Sequence, residues 1–320
     1  MKRNLLEFVG LGACLLAGNA LAADRCDRNC LTATVNQYLD AVLRHDPSKA
    51  PLAQDYRATE NAVAVKAGEG TWKSVTALGA VQRRYVDPTS SQAGYFGLID
   101  ESGAPAIGSL RLKVVDRKVT EAEWVIGRKG MALHNVEGFT ANPPPDGKVS
   151  AVNRSSRDSM IAAADSYFSG IQQGNGKIVL AHPGCYRVEN GTWMLGKLRD
   201  VPATPAAPPP PNKPDGSPGD PPRGDGVTTP RTPDAECITG FERMGGRGGA
   251  VINRHYFADE DAGVALGTVI FSRAEGATGP DGKPAKWLYL TEVFKVEQGK
   301  IRGIHAAMDY LPPQIKTSGW

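Results

Sequence analysis

An internal repeat constrains the fold of this chain more than any other feature. Tyr38 precedes Glu60 by the same interval as Tyr167 precedes Glu189, and an asparagine follows each glutamate. Each tyrosine lies in a segment whose apolar residues recur at helical spacing, at 31–43 and 159–171. Self-similarity of this kind predicts two structurally related units in one chain.

The order of the remaining elements repeats as well. Alternating residues predict strands at 92–99, 106–115 and 119–126, and again at 251–257, 263–271, 286–296 and 301–308. Each unit closes on a strand, a polar turn and a return strand. The sequence therefore predicts an α+β fold, in which each unit packs helices on one face of a curved antiparallel sheet.

Composition sets the boundaries of these units. The first unit is predicted at 23–138, a turn-rich linker at 139–154 and the second unit at 155–320. Proline is concentrated at about 202–233, where large apolar residues are almost lacking. Such a segment cannot bury a core, so we expect a disordered or polyproline-like loop inside the second unit.

The N-terminus has the pattern of an export signal. Lys2 and Arg3 precede a short apolar run that ends on small residues at Ala20 and Ala22. This pattern predicts a cleaved signal peptide at 1–22 and a periplasmic or extracellular protein. A lipoprotein signal ending at Cys14 is the alternative, but Glu7 interrupts its apolar run. No later segment is apolar enough to predict a membrane span.

Four cysteines remain after the signal peptide, which favours disulfides in an exported chain. Cys185 and Cys237 bracket the proline-rich segment and form the preferred pair. Cys26 and Cys30 are the less certain pair, because residues on one helical turn meet disulfide geometry poorly. No histidine pair accompanies these cysteines at zinc-site spacing, so no metal is predicted.

Several short motifs carry a resemblance to a known family. They are His45-Asp46-Pro47, Thr59-Glu60-Asn61, Gly94-Tyr95-Phe96-Gly97 and Leu110-Arg111-Leu112, with Ser166-Tyr167-Phe168, Glu189-Asn190-Gly191 and Ser318-Gly319-Trp320. With these motifs the chain resembles an uncharacterised exported family of the SnoaL-like, nuclear transport factor 2-like superfamily. The resemblance implies two tandem cone-like units, each a curved sheet around helices with a pocket at its wide end. Members include isomerases, dehydratases, cyclases and noncatalytic modules, so the fold does not decide the function.

Candidate catalytic residues are acid/base groups that such a pocket would use. Glu60 and Glu189 take matching places in the two units, and a carboxylate in an apolar pocket can shuttle protons near neutral pH. His255 is a second candidate acid/base group, while Arg187 and Tyr289 could orient a substrate. The alternative is structural, with each glutamate capping a turn or pairing with a nearby arginine.

Aromatic side chains suggest where a ligand could bind. Trp72, Tyr85 and Tyr95 could line an apolar pocket in the first unit, and His305 could do so in the second. Packing in the core accounts for the aromatic residues equally well.

Two classes of function follow from these residues. The first is a cofactor-independent lyase, isomerase or cyclase acting on a small apolar organic molecule. The second is a noncatalytic small-molecule-binding or dimerisation protein.

The sequence lacks nucleotide, hydrolase and paired metal-ligand motifs, so no cofactor is predicted. The net charge of +3, without a basic stripe, predicts no nucleic-acid partner. A homodimer and the packing of the two units on each other both stay open.

Overall fold

A computed structural model of the protein describes residues 26–131, 133–195, 249–274, 276–277, 284 and 286–320. The predicted signal peptide at 1–22 and the proline-rich segment at 202–233 lie outside the described residues, as does Cys237. Among the described residues, no helix is long and apolar enough to cross a membrane.

The first unit is a long helix followed by a six-stranded sheet, with a four-residue helix between two of the strands. Its elements are α1 (Arg28–Leu43), β1 (Leu52–Glu60), β2 (Val63–Val65), α2 (Thr71–Ser74), β3 (Val75–Asp87), β4 (Gln92–Glu101), β5 (Ala104–Val115) and β6 (Lys118–Gly127). The strands lie in the order β2-β1-β6-β5-β4-β3. A short helix, α3 (Val136–Ala141), crosses the predicted boundary between the first unit and the linker.

The second unit repeats this arrangement. Its elements are α4 (Arg157–Gln173), β7 (Ala181–Glu189), β8 (Thr192–Leu195), β9 (Val251–Asp259), β10 (Val264–Phe271), β11 (Leu288–Glu297) and β12 (Lys300–Tyr310). The strand order β8-β7-β12-β11-β10-β9 matches that of the first unit strand for strand. The prediction of two related units is therefore confirmed.

The sheets are mixed, which corrects the prediction of antiparallel sheets. β1 pairs with β6 and β7 pairs with β12 in parallel, while the other neighbours are antiparallel. Strands joined by short turns must run antiparallel, whereas β1 and β7 enter from a helix and meet a strand far along the chain. No local turn sets the direction of these two strands.

Capping side chains and apolar spacing define the two long helices. Asp27 caps α1 by accepting a hydrogen bond from Cys30 N, and Ser156 caps α4 by accepting one from Ser159 N. α4 ends at Gly174, whose φ of 62° places it in the left-handed conformation of helix ends. Each helix buries its apolar stripe against its own sheet, on what we call the inner face.

The asparagines of the repeat join the parallel strands in both units. Asn61 bonds to the backbone of Ile126, donating to its carbonyl at 3.1 Å and accepting from its N–H at 2.8 Å. Asn190 makes the same two bonds to Met308, each at 3.0 Å. Because these contacts match, they define which positions in the two units are equivalent.

The two units pack on each other through the outer faces of their sheets, away from the helices. An apolar cluster between the units contains side chains from both, including Tyr85, Phe96, Phe257 and Val293. This contact realises one of the two predicted arrangements, the packing of one unit on the other.

Candidate functional site

The structure distributes the predicted catalytic residues over three places. Arg187 and Glu189 lie on the inner face of the second sheet, and Glu60 lies on the inner face of the first. His255 and Tyr289 lie between the units, where both contact Glu123. No single site therefore contains all five residues.

Four polar side chains meet inside the second unit, and we call them the inner cluster: Tyr167, Arg187, Glu189 and Glu292. Arg187 Nε lies 2.8 Å from Glu189 Oε1. The Tyr167 hydroxyl, from α4, donates a hydrogen bond of 3.1 Å to Glu292 Oε1. Arg187 is 4% exposed and Glu292 is 2% exposed, so these two ionisable groups lie among core side chains.

Strand register brings the two carboxyl groups of the inner cluster together. Glu189 on β7 and Glu292 on β11 both lie opposite Ala306 of β12, the strand between them. The small side chain of Ala306 leaves room for both carboxyl groups above it. Because of this placement, the negative charge of Glu189 is close enough to raise the pKa of the Glu292 carboxyl group.

Glu292 is the acid of the inner cluster whose pKa is displaced into the neutral range. Burial raises its pKa, and the charge of Glu189 raises it further, to about 8, against the opposing effects of Arg187 and Tyr167. Its Oε2 is buried and has no hydrogen-bond partner among the described residues. At neutral pH, Glu292 is therefore a protonated carboxyl group able to donate a hydrogen bond or a proton.

The same space in the first unit is filled by apolar side chains. Leu110 takes the place of Glu292, because both lie opposite the residue that pairs with the repeat glutamate. That residue is Trp124 in the first unit, where it packs against Tyr95, with ring centroids 6.4 Å apart. Trp72 packs against Tyr38 at 5.1 Å. The predicted ligand-binding residues Trp72 and Tyr95 are thus fully buried core side chains.

Glu60 has structural partners in this filled interior. Its carboxylate lies 2.6 Å from Arg128 Nη2 and accepts a hydrogen bond of 2.8 Å from Thr71 N, at the start of α2. The contacts of Glu60 are therefore those of the structural alternative, in which the glutamate caps a turn or pairs with an arginine.

Glu123 is the centre of a second network, between the units. Its carboxylate accepts hydrogen bonds from Arg111 Nε at 2.7 Å and from the Tyr289 hydroxyl, and it lies 2.7 Å from His255 Nε2. Burial alone would raise the pKa of Glu123, but His255, Arg111 and Tyr289 lower it to about 2. His255 and Tyr289 thus hold a buried carboxylate that links the two units.

The remaining predicted ligand-binding residues contact the linker. The Tyr85 hydroxyl donates to Pro145 O at 2.6 Å, and His305 Nε2 lies 3.2 Å from Asn142 O. Burial lowers the pKa of His305 to about 3, so its ring is neutral. His305 also borders a cavity of about 400 Å³ together with Tyr186 and Trp193.

The disulfide prediction for Cys26 and Cys30 is confirmed, with Cα atoms 5.2 Å apart. The geometric objection does not apply, because Cys26 precedes the capping residue Asp27 and so lies outside the helix. Cys185 is also disulfide-bonded. Because Cys237 lies outside the described residues, the pair Cys185–Cys237 stays a prediction.

Sequence reasoning missed Glu292 and Glu123, although each carries a visible signal. In β11 the inward positions Leu290, Phe294 and Val296 are apolar, and Glu292 interrupts this row. On the outer face, Glu123 aligns with Arg111 across β5 and β6. The described residues contain no group of three or more His, Cys, Asp or Glu that could hold a metal ion.

Comparison with known proteins places the chain in a family but gives no activity. No curated protein matches the chain. The family model described as "Domain of unknown function (DUF8021)" matches residues 24–126 and 153–308, a stretch in each unit. The matched residues cover most of the chain, which therefore belongs to the DUF8021 family.

Proposed function

We propose that the second unit is the catalytic unit of a cofactor-independent acid/base enzyme, a lyase, isomerase or cyclase. The observation that carries this proposal is Glu292, a fully buried carboxyl group with a pKa of about 8 and an oxygen without a partner among the described residues. Groups of this kind are concentrated at active sites, because a catalytic acid needs its pKa near the working pH.

The inner cluster supplies complementary roles for proton transfer. Glu292 would donate its proton to a substrate carbonyl oxygen, while Glu189 would remove a proton from the adjacent carbon to give an enol. With a β,γ-unsaturated ketone this enol is a dienol, and return of the proton from Glu189 to the γ carbon, with return of the oxygen proton to Glu292, would complete an isomerisation to the conjugated enone. Arg187 would stabilise negative charge that develops on the oxygen.

The surroundings of the cluster favour a small and mainly apolar substrate. Apolar side chains from α4 and the sheet surround it, among them Phe168, Leu290, Phe294 and Met308. A carbonyl group on such a molecule would be the natural partner of the Glu292 carboxyl group. A cone-like, SnoaL-related arrangement of helix and sheet is part of this proposal.

The interior of the first unit shows whether the fold itself needs an acid at the position of Glu292. Its interior is occupied by Trp72, Tyr95 and Trp124, and Leu110 replaces Glu292. Because the same fold closes there without a buried acid, the acid in the second unit is not a requirement of the fold. A noncatalytic binding role is the second candidate, and it assigns no proton transfer to Glu292.

We further propose that the protein is exported after removal of residues 1–22. The Cys26–Cys30 disulfide supports this, since disulfides persist in oxidising compartments. N-terminal sequencing of protein recovered from outside the cytoplasm would locate the cleavage site. An unprocessed N-terminus on that protein would contradict the proposal.

The catalytic proposal is tested by exchange of protons with solvent. The purified chain is incubated in D₂O with a panel of small cyclic ketones, enones and lactones, and ¹H NMR follows deuterium incorporation beside the carbonyl group. We expect Glu292→Gln to lower the rate by roughly two to four orders of magnitude while the fold is kept. Glu297→Gln, at the C-terminal end of the same strand and outside the inner cluster, is the matched control and should exchange as the wild type does.

Glu189→Gln separates catalysis from structure in the same assay. A role in proton transfer predicts a large loss of exchange in variant protein that circular dichroism shows to be folded, beyond any loss that its lower stability explains. A purely structural role predicts a loss of stability of roughly 3 to 5 kcal/mol, because the buried ion pair with Arg187 is broken. Wild-type exchange rates in both Glu292→Gln and Glu189→Gln would exclude the catalytic proposal.

A further inference from the structure

A second cavity lies between the units. Charged and polar side chains line it, whereas apolar side chains surround the inner cluster. It has a volume of about 400 Å³, within the usual size of small-molecule sites. The outer face of the first sheet forms one wall and strand β9 forms the other. We call it the basic pocket, because its lining includes Arg57, Arg111, Lys113, Arg254 and His255, together with Trp320.

Positive charge exceeds negative charge at this pocket. Glu121 is the only acidic residue in its described lining, and its carboxylate lies 3.0 Å from both Arg57 and Arg111. Glu123 behind the wall also binds Arg111, and Asp165 binds Arg254 at 2.9 Å. Counting these three carboxylates against four permanent cations leaves a surplus of about one positive charge, before His255 is considered.

Lys113 carries the charge that the described carboxylates leave unmatched. Its Nζ donates to Ser90 O at 2.5 Å and forms no ion pair with a described carboxylate. Arg57 pairs with Glu121, but its side chain is 57% exposed and retains donors that can face the cavity. The pocket therefore offers both a cation that no described carboxylate neutralises and guanidinium N–H groups that can donate to a ligand.

The fold itself does not require these charges. Arg57 lies opposite Glu121 across β1 and β6, whereas Tyr186 lies opposite Gly303 at the equivalent place in the second unit. Likewise, the Arg111–Glu123 pair is replaced by Val293 and His305. Since the second sheet forms with uncharged residues at these positions, the charges of the first unit call for a different explanation.

The shape and charge of the pocket select one class of ligand. The Trp320 ring forms a flat wall, with the guanidinium carbons of Arg57 and Arg111 at 4.1 and 5.1 Å from its centroid. Guanidinium groups match the two oxygens of a carboxylate. A single surplus charge is balanced by a monoanion, whereas a phosphate dianion would leave excess negative charge. We propose that the basic pocket binds a small organic carboxylate with a flat, apolar body.

Calorimetric titration of the full chain with benzoate tests this site. We expect binding at pH 7 with a Kd of about 1 mM or tighter, and binding of inorganic phosphate or neutral benzyl alcohol at least about tenfold weaker. Lys113→Gln should weaken benzoate binding by about tenfold, because it removes the unmatched charge. Arg57→Gln gives a second variant at a mostly exposed side chain, with the same expected direction.

Two control variants test whether a loss of benzoate binding is specific to the basic pocket. Lys118→Gln removes an exposed charge from the same sheet, away from the pocket, and should leave benzoate binding unchanged. Glu292→Gln should also leave it unchanged, so the result does not depend on the proposed catalytic role. Absence of benzoate binding, equal affinity for phosphate or benzyl alcohol, or wild-type affinity in both Lys113→Gln and Arg57→Gln would overturn the proposal.

Discussion

Glu292 and Leu110 occupy equivalent positions in the two units, yet one is a buried acid and the other an ordinary core residue. The repeat in the sequence directed attention to what the units share, the Glu-Asn pair. Asn61 and Asn190 turned out to have matching structural roles. The buried acid with a pKa near neutral lies at a position where the units differ, so the repeat itself does not indicate it.

The raised pKa of Glu292 makes stability depend on pH. Below its ordinary pKa of 4.5, the folded and unfolded states are both protonated. Between 4.5 and about 8, only the folded state holds the proton, so stability falls as pH rises through this window. Glu292→Gln removes the titrating group, and we expect the variant to gain stability over the wild type by up to about 1.4 kcal/mol per pH unit.

Urea unfolding of both proteins from pH 5 to pH 9, a range of roughly four units that covers most of this window and its upper limit, measures this difference. Glu123 does not interfere, because its pKa of about 2 places its own loss of stability at acid pH. Parallel stability curves for the variant and the wild type would show that Glu292 is ionised in the folded protein at neutral pH.

At the scale of elements, local patterns predicted the two long helices and the later strands of each sheet, but not the short helices α2 and α3, strand β3 or how the elements join. The helical spacing around Tyr38 and Tyr167 and the alternation of the hairpin strands correspond to the observed elements. The parallel pairing of β1 with β6 depends on contacts distant in sequence, which periodicity cannot report. The placement of Tyr289 and His255 on Glu123 also depends on how the units meet, so it could not be predicted from either segment alone.

Asn190 links β7 to β12, and its contacts predict how its substitution changes the free energy of unfolding. Its side chain makes two buried hydrogen bonds to Met308, and its φ of 43° lies in the left-handed region that alanine disfavours. We expect Asn190→Ala to lower the free energy of unfolding by about 3 kcal/mol, from two lost bonds and the backbone strain. Asn190→Gly relieves the strain but not the lost bonds, so it should cost about 1 kcal/mol less. Equal stability of Asn190→Ala and wild type in urea unfolding would contradict this role.

At the scale of the whole molecule, a reciprocal pair of contacts ties the units together. Arg28 in the first turn of α1 binds Asp259 at the end of β9, with its Nη2 2.7 Å from Oδ1. Arg157 in the first turn of α4 binds Asp87 at the end of β3, at 2.8 Å. Each aspartate also accepts a backbone hydrogen bond across the interface, from Val86 N and Ala258 N respectively. The units therefore contact each other with an approximate two-fold relation.

This reciprocity predicts that the two units unfold together. Asp87→Asn removes a buried charge that binds Arg157, and we expect a loss of about 2 kcal/mol. Because the interface is shared, the loss should lower the midpoint of a single transition, with no change in the denaturant slope. Asp259→Asn should behave in the same way.

Asp158→Asn is the control, since Asp158 is 95% exposed and contacts the same Arg157 at 3.5 Å. The effect of this substitution on the free energy of unfolding should stay within about 0.5 kcal/mol. Guanidinium unfolding followed by both tryptophan fluorescence and circular dichroism tests this, and separate transitions by the two probes in Asp87→Asn would show that the units are stable independently.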